Sequence, residues 1–117
     1  MFAIPNSVKI GWKRYDIRFA EERLNSGNEL FGQIDYQTRK ITLRERNTQE
    51  QNECTLIHEI LHGVSEMYGL NMEEEHVERL ANALYTLLVD NEKTVKEVFG
   101  VNMQTVKAVR KENTDEL

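Results

Sequence analysis

The chain has 117 residues, of which 39% are hydrophobic and 30% charged, a composition typical of an ordered domain rather than a disordered segment. Its 20 acidic and 15 basic residues give a net charge of −5. This charge counts against nucleic acid or an anionic membrane as the main partner, because both attract clusters of Lys and Arg. The sequence contains no apolar run of ~18 residues and no signal-peptide pattern, so no membrane association is expected.

The first 46 residues mostly alternate apolar and polar side chains, which is the period of β-strands. Such stretches occur at 8–12, where Trp12 is expected to anchor the core, and at 15–19. Polar residues at 20–29 predict a loop. Two apolar runs on either side of 37–40 then predict a β-hairpin. We therefore expect a small antiparallel sheet built from hairpins.

From residue 48 onward the apolar period becomes helical. Thr48 and Gln51 have the spacing of a capping box, and Gly69 suits the left-handed position that ends a helix. Asn71 is the expected N-cap of a second helix, whose buried face is predicted to contain five apolar residues: Val77, Leu80, Ala81, Leu84 and Leu88.

Residues 92–99 predict a short third helix, and 101–117 carry a weak helical pattern in a polar tail. The expected architecture is α+β, with an N-terminal sheet packed on a C-terminal pair of helices. We expect a single domain over 1–117, with its core at about 8–92 and a short helix and tail at 93–117.

The motif that carries chemistry is His58-Glu59-Ile-Leu-His62. Residues four apart lie on one helix face, so the two imidazoles can bind one ion, and zinc suits neutral imidazole. Glu59 lies about 100° around the helix, where it can take a proton from a water activated by the metal. The alternative is an ordinary amphipathic helix that happens to carry two histidines.

A catalytic zinc site needs a third protein ligand, and the acidic stretch after Gly69 offers several. Helical angles place Glu74 and Glu78 at one border of the buried face and His76 at the other, with Glu75 solvated. We favour Glu74 as the ligand, with His76 as the alternative. Glu78, one turn later, is expected to hydrogen-bond a ligating histidine and orient its ring.

Three further features have functional and structural interpretations. Tyr85 follows Glu74 and Glu78 down the same stripe and is a candidate donor to an oxyanion, although a core tyrosine would show the same spacing. Cys54, the single cysteine, excludes an internal disulfide and favours a reducing cytoplasm. A basic patch on the sheet is a weaker hypothesis for nucleic-acid binding, which the net charge opposes; it would comprise Lys9, Lys13, Arg14 and Arg18.

Three segments together resemble a known family: 32–36, 55–62 and 74–85. They are similar to small metallopeptidase-like proteins encoded by bacteriophages and prophages, which are grouped with the ImmA/IrrE-type, gluzincin-like zinc metallopeptidases. The resemblance implies that Glu74 is the third ligand. It places Glu78 where the wider family usually has Asn or Asp, and Gly63 where such helices often have Ala. Relatives of this kind cleave phage repressors or act in stress regulation.

The sequence thus predicts a zinc-dependent endopeptidase with a protein or peptide substrate, acting in the cytoplasm of a bacterial host. Zn²⁺ would be bound by His58, His62 and Glu74, and Glu59 would be the general base. The alternative is a metal-binding regulatory module with little or no catalysis. Neither the substrate nor the oligomeric state follows from the sequence.

Overall fold

The computed structural model describes residues 2–20 and 31–100, which form four strands and three helices. In chain order these are β1 (Ser7–Ile10), β2 (Lys13–Ala20), β3 (Gly32–Asp35), β4 (Lys40–Arg44), α1 (Gln49–Tyr68), α2 (Glu74–Asp90) and α3 (Glu92–Phe99). The predicted α+β class and the short third helix are confirmed. The loop predicted at 20–29, apart from Ala20 at the end of β2, and the tail at 101–117 lie outside the described residues.

The four strands form one sheet in the order β1-β2-β4-β3. The two hairpins, β1–β2 and β3–β4, are antiparallel as predicted. The central pair is not, because β2 and β4 run parallel, with Asp16 opposite Lys40. The sheet is therefore mixed, with β3 at its edge. Alternation of side chains predicts a strand but not its neighbour, so the sequence could not reveal this parallel pair.

The turn between β1 and β2 corrects the prediction for Trp12. Gly11 adopts a positive φ of 61°, and Gly11 and Trp12 together form a tight hairpin turn. Trp12 is 66% exposed, and two cations lie over its ring, with Lys13 Nζ 5.3 Å and the Arg39 guanidinium 5.0 Å from the ring centroid. It therefore lies at the tip of the hairpin rather than in the core.

The core lies between α1 and one face of the sheet. Its buried members come from three strands and the helix: Ile10, Tyr15, Ile41, Leu43 and Leu56. Gly63 lets the sheet approach α1 closely, since a Cβ there would lie 2.6 Å from Ile10 Cδ1 and 3.2 Å from Ile34 Cδ1. This packing explains why a glycine stands at this position.

Both ends of α1 agree with the sequence. The Thr48 hydroxyl accepts from the Gln51 amide, and the Gln51 side chain accepts from the Thr48 amide, so the capping box is formed. Gly69 ends the helix with a φ of 65°. Asn71 was wrongly predicted as the N-cap of α2. It has a φ of 53° in the connecting turn, and α2 begins three residues later at Glu74.

The basic residues of the N-terminal hairpin do not form the predicted four-residue patch. Lys9 is opposite Arg14, and Arg18 lies on the same face of β2 as Arg14. Lys13 points to the other face, where its ammonium lies 3.8 Å from Glu66 Oε2. Lys13 therefore does not belong to the patch predicted from the sequence.

The chain divides into two compact units, Met1–Thr86 and Leu87–Leu117, with the boundary inside α2. The first contains the sheet, α1 and most of α2, and the second contains the end of α2 and α3. The single-domain organisation stays a prediction. Within the described ranges, no helix combines the length and the apolar character that a bilayer crossing requires.

Candidate metal centre and its cleft

The two histidines of the motif lie one turn apart on α1 and converge. Their Nε2 atoms are 3.1 Å apart, and their ring centroids are separated by 4.9 Å. Both side chains are largely shielded, with 20% exposure for His58 and 19% for His62. Spacing of four residues on a helix held against the sheet is what brings both nitrogens to one point.

The carboxylate of Glu74, the first residue of α2, closes this group. Its Oε1 lies 2.7 Å from His58 Nε2 and its Oε2 lies 2.7 Å from His62 Nε2. Four ligands on a zinc ion with 2.0–2.1 Å bonds would be about 3.3 Å apart. Two imidazole nitrogens 3.1 Å apart, each 2.7 Å from a different oxygen of the same carboxylate, therefore suit a small divalent cation. The alternative ligand, His76, is exposed and does not line the site.

Glu59 lies directly beside this group but is buried, with 6% exposure. Its carboxylate has an oxygen within 4.8 Å of the ligand atoms of His58 and His62. Burial raises its pKa to about 7, and the negative charge of Glu74 contributes to the same shift. Glu59 is also close enough to be considered a ligand. The Glu74 carboxylate, however, already lies against both Nε2 atoms.

An open cleft of about 550 Å³ leads to the four side chains. Residues of α1 line it together with residues of the edge strand β3 and of α2. At the end of the cleft beside His58 and His62, called here the metal end, the Tyr36 hydroxyl donates to the carbonyl of His62 over 3.4 Å. Burial, followed by the charges of Glu59 and Glu66, raises the pKa of Tyr36, so this hydroxyl stays protonated and able to donate.

Two residues predicted to assist the site do not make the contacts predicted for them. Glu78 lines the cleft, but the hydrogen bonds described for the two histidines do not include it. Tyr85 is not among the cleft residues, and its hydroxyl donates to Glu53 Oε1 at 2.7 Å. This contact corrects the prediction that Tyr85 donates to an oxyanion, because its donor is already used.

Glu53 is a buried carboxylate that the sequence did not single out. It has 0% exposure, and its Oε2 accepts from the Phe2 amide at 3.0 Å and from Gln49 Nε2 at 3.2 Å. Burial alone would raise its pKa, but the hydrogen bonds from Tyr85, Phe2 and Gln49 outweigh burial and lower it. The Glu53–Tyr85 bond joins α1 to α2, the helix that begins with Glu74.

Tyr85→Phe should therefore lower the free energy of unfolding by about 1–3 kcal/mol, because a buried carboxylate loses a charge-assisted donor. Urea unfolding at neutral pH measures this. A lowered pKa means that charged Glu53 stabilises the fold above the ordinary carboxyl range, a contribution lost as pH falls through that pKa. The difference from wild type should shrink over the same interval. Tyr68→Phe, at a residue with 63% exposure, is the control, and equal losses in both variants would contradict this role.

Several cleft residues were missed or given little weight in the sequence. Gly32 could have served as a sequence signal for this part of the cleft. A Cβ at Gly32 would lie 2.5 Å from Thr55 Cγ2, so β3 lies directly on α1. Phe31 and Tyr36, which flank this strand, carry no motif of their own. Cys54 lines the cleft and donates to Asn82 Oδ1 over 3.2 Å.

Comparison with known proteins gives one positive finding. The Peptidase M78 family model, described as the IrrE N-terminal-like domain, matches residues 12–108. This range includes the whole HExxH motif, Glu74 and β3, the strand that lines the cleft. Searches of curated proteins and of solved structures returned no match.

Proposed function

Because the chain belongs to the Peptidase M78 family of IrrE N-terminal-like domains, we propose that it is a zinc-dependent endopeptidase acting on a protein substrate. One observation carries the proposal. The Nε2 atoms of His58 and His62 and the carboxylate of Glu74 meet at one point beside a buried glutamate, at the metal end of an open cleft.

Zinc is favoured by the donor set. Two imidazoles with one carboxylate, plus a position left for water or substrate, are a typical catalytic zinc site. Bound there, the ion supplies a Lewis acid that polarises a peptide carbonyl and lowers the pKa of a water molecule. Harder ions such as Mg²⁺ prefer oxygen ligands, so they fit this set less well.

The protein's own residues then move the proton. Glu59 accepts a proton from the attacking water as the water oxygen bonds to the peptide carbon. It delivers that proton to the departing amine when the C–N bond breaks. The buried position of Glu59 supports this role, since a shielded carboxyl group holds a proton between the two steps more readily than a solvated one.

The substrate we propose is an extended peptide segment. Among the described residues β3 is one of the two edge strands of the sheet, and Gly32, Gln33 and Ile34 line the cleft. Since β4 pairs with only one edge of β3, the other edge can hydrogen-bond an added strand. The resemblance to phage and prophage proteins favours a regulatory role, in which few proteins are cut.

Metal removal tests the proposal. We expect the purified protein to contain about one equivalent of zinc and to cleave unfolded casein slowly. A chelator should abolish cleavage, and added zinc should restore it. Cleavage that survives complete removal of metal would contradict the proposal. Full zinc occupancy without cleavage of any protein would favour the alternative, a metal-binding regulatory module.

A further inference from the structure

The cleft extends well beyond the proposed metal ligands, toward the N-terminal end of α1. Its far end is lined by Phe31, Gln51, Cys54 and Asn82. Gln51 precedes His58 by seven residues, so this end lies about 10 Å from the metal ligands along the helix axis, at 1.5 Å per residue. The proton transfers at Glu59 use none of these residues.

Phe31 presents an exposed ring on a fixed backbone. Phe31 lines the cleft and is nevertheless 56% exposed. Its carbonyl accepts from Asn47 Nδ2 at 3.0 Å, and the same nitrogen lies 3.0 Å from Asn52 Oδ1. Buried Asn52 in turn donates to the Arg44 carbonyl at 3.2 Å. An exposed aromatic side chain has few rotatable bonds, so it loses little conformational entropy when it binds an apolar group.

Cys54 and Asn82, which line the same end of the cleft, belong to α1 and α2. Cys54 Sγ donates to Asn82 Oδ1 over 3.2 Å and so joins α1 to α2 at this end of the cleft. The other wall is formed by β3, which lies against Thr55 because Gly32 has no side chain. The far end is therefore a formed part of the cleft rather than an open surface.

The direction of β3 shows which side of the substrate would reach Phe31. Gly32 lies beside Thr55 and the Tyr36 hydroxyl beside the His62 carbonyl, so β3 runs toward the metal ligands. A peptide antiparallel to β3 would run from the metal ligands toward Phe31. At about 3.3 Å per residue, the 10 Å distance spans about three residues.

We propose that Phe31 is a specificity-determining residue that binds a large apolar or aromatic side chain two or three positions C-terminal to the scissile bond. This inference rests on the proposed endopeptidase function and names the substrates that its cleft selects. Peptides with a small or charged residue at that position would still reach the metal ligands but would bind less tightly.

The test profiles the zinc-loaded protein against a library of peptides from digested proteins, with cleavage sites read by mass spectrometry. Wild type should enrich Phe, Leu, Met and Trp at the second or third position after the cut, and Phe31→Ala should lose this enrichment alone. For a peptide pair differing as Phe or Ala at that position, kcat/KM should differ about tenfold in wild type and become nearly equal in the variant.

Phe19→Ala is the matched control, since Phe19 is 46% exposed but does not line the cleft. Unchanged zinc content shows that Phe31→Ala is folded, and Phe31→Arg should shift the preference toward acidic residues. Enrichment that persists in Phe31→Ala, or that lies only before the cut, would overturn the inference. Cleavage without enrichment would refute the role of Phe31 alone, whereas absence of any cleavage by wild type would refute the proposed function as well.

Discussion

Glu59→Gln should abolish peptide cleavage while leaving the metal bound. Gln keeps the size and shape of Glu59 but cannot accept the proton of the attacking water, so kcat should fall by about 10²–10⁴-fold. The metal should stay because the two Nε2 atoms and the Glu74 carboxylate are unchanged, with their present separations of 2.7–3.1 Å. Casein cleavage and zinc content of the same preparation give the two measurements.

Glu66→Gln on the same helix is the matched control. Glu66 is exposed, with its carboxylate near Lys13 at 3.8 Å, and it is not among the cleft residues. Its removal should leave both cleavage and zinc content unchanged. If Glu59→Gln retained cleavage, Glu59 would not be the base. If it instead released zinc, Glu59 would be a ligand, a role that its position within 4.8 Å of the histidine nitrogens allows.

His58→Ala and Glu74→Ala should each reduce zinc affinity by at least about 100-fold, since each removes one of three protein ligands. Wild type should also become more resistant to heat when zinc is added, because a ligand that binds only the folded state stabilises it. Both variants should lose this response. Zinc content after dialysis and thermal unfolding with and without zinc measure the two effects.

His76→Ala separates the two candidate third ligands. His76 is exposed on α2, two residues from Glu74, and does not line the cleft, so its removal should leave zinc binding unchanged. Loss of zinc with His76→Ala, together with retention in Glu74→Ala, would reverse the assignment. Retention in both variants would mean that the third ligand comes from elsewhere.

Features set by local sequence could be predicted well. The capping box of α1, its end at Gly69 and the third helix each depend on residues within a few positions of one another. The same holds for His58 and His62, whose convergence follows from helical geometry alone. Trp12 was mispredicted because alternation continued into a turn that Gly11 dictates.

Features set by tertiary packing could not be predicted. Tyr85 has the same helical spacing whether it points into the cleft or toward Glu53, and only the packing of α2 decides between them. The structural role of Glu53 could not be predicted either, since a charged residue on an amphipathic helix is usually solvated. The cleft wall containing Phe31 depends on which strand occupies the edge of the sheet.

Because β2 pairs in parallel with β4, the proposed metal ligands and the β3 wall of the cleft depend on contacts of different sequence separation. The proposed metal ligands lie within 58–74, so they can meet through the closure of one short loop. The β3 wall instead pairs with β4, which in turn pairs with β2 across the 24 positions from Asp16 to Lys40. Contacts between distant positions form later in folding and carry a larger loop-closure cost. We therefore expect partial unfolding to remove the substrate-binding wall first, leaving a chain that still holds zinc but no longer cuts.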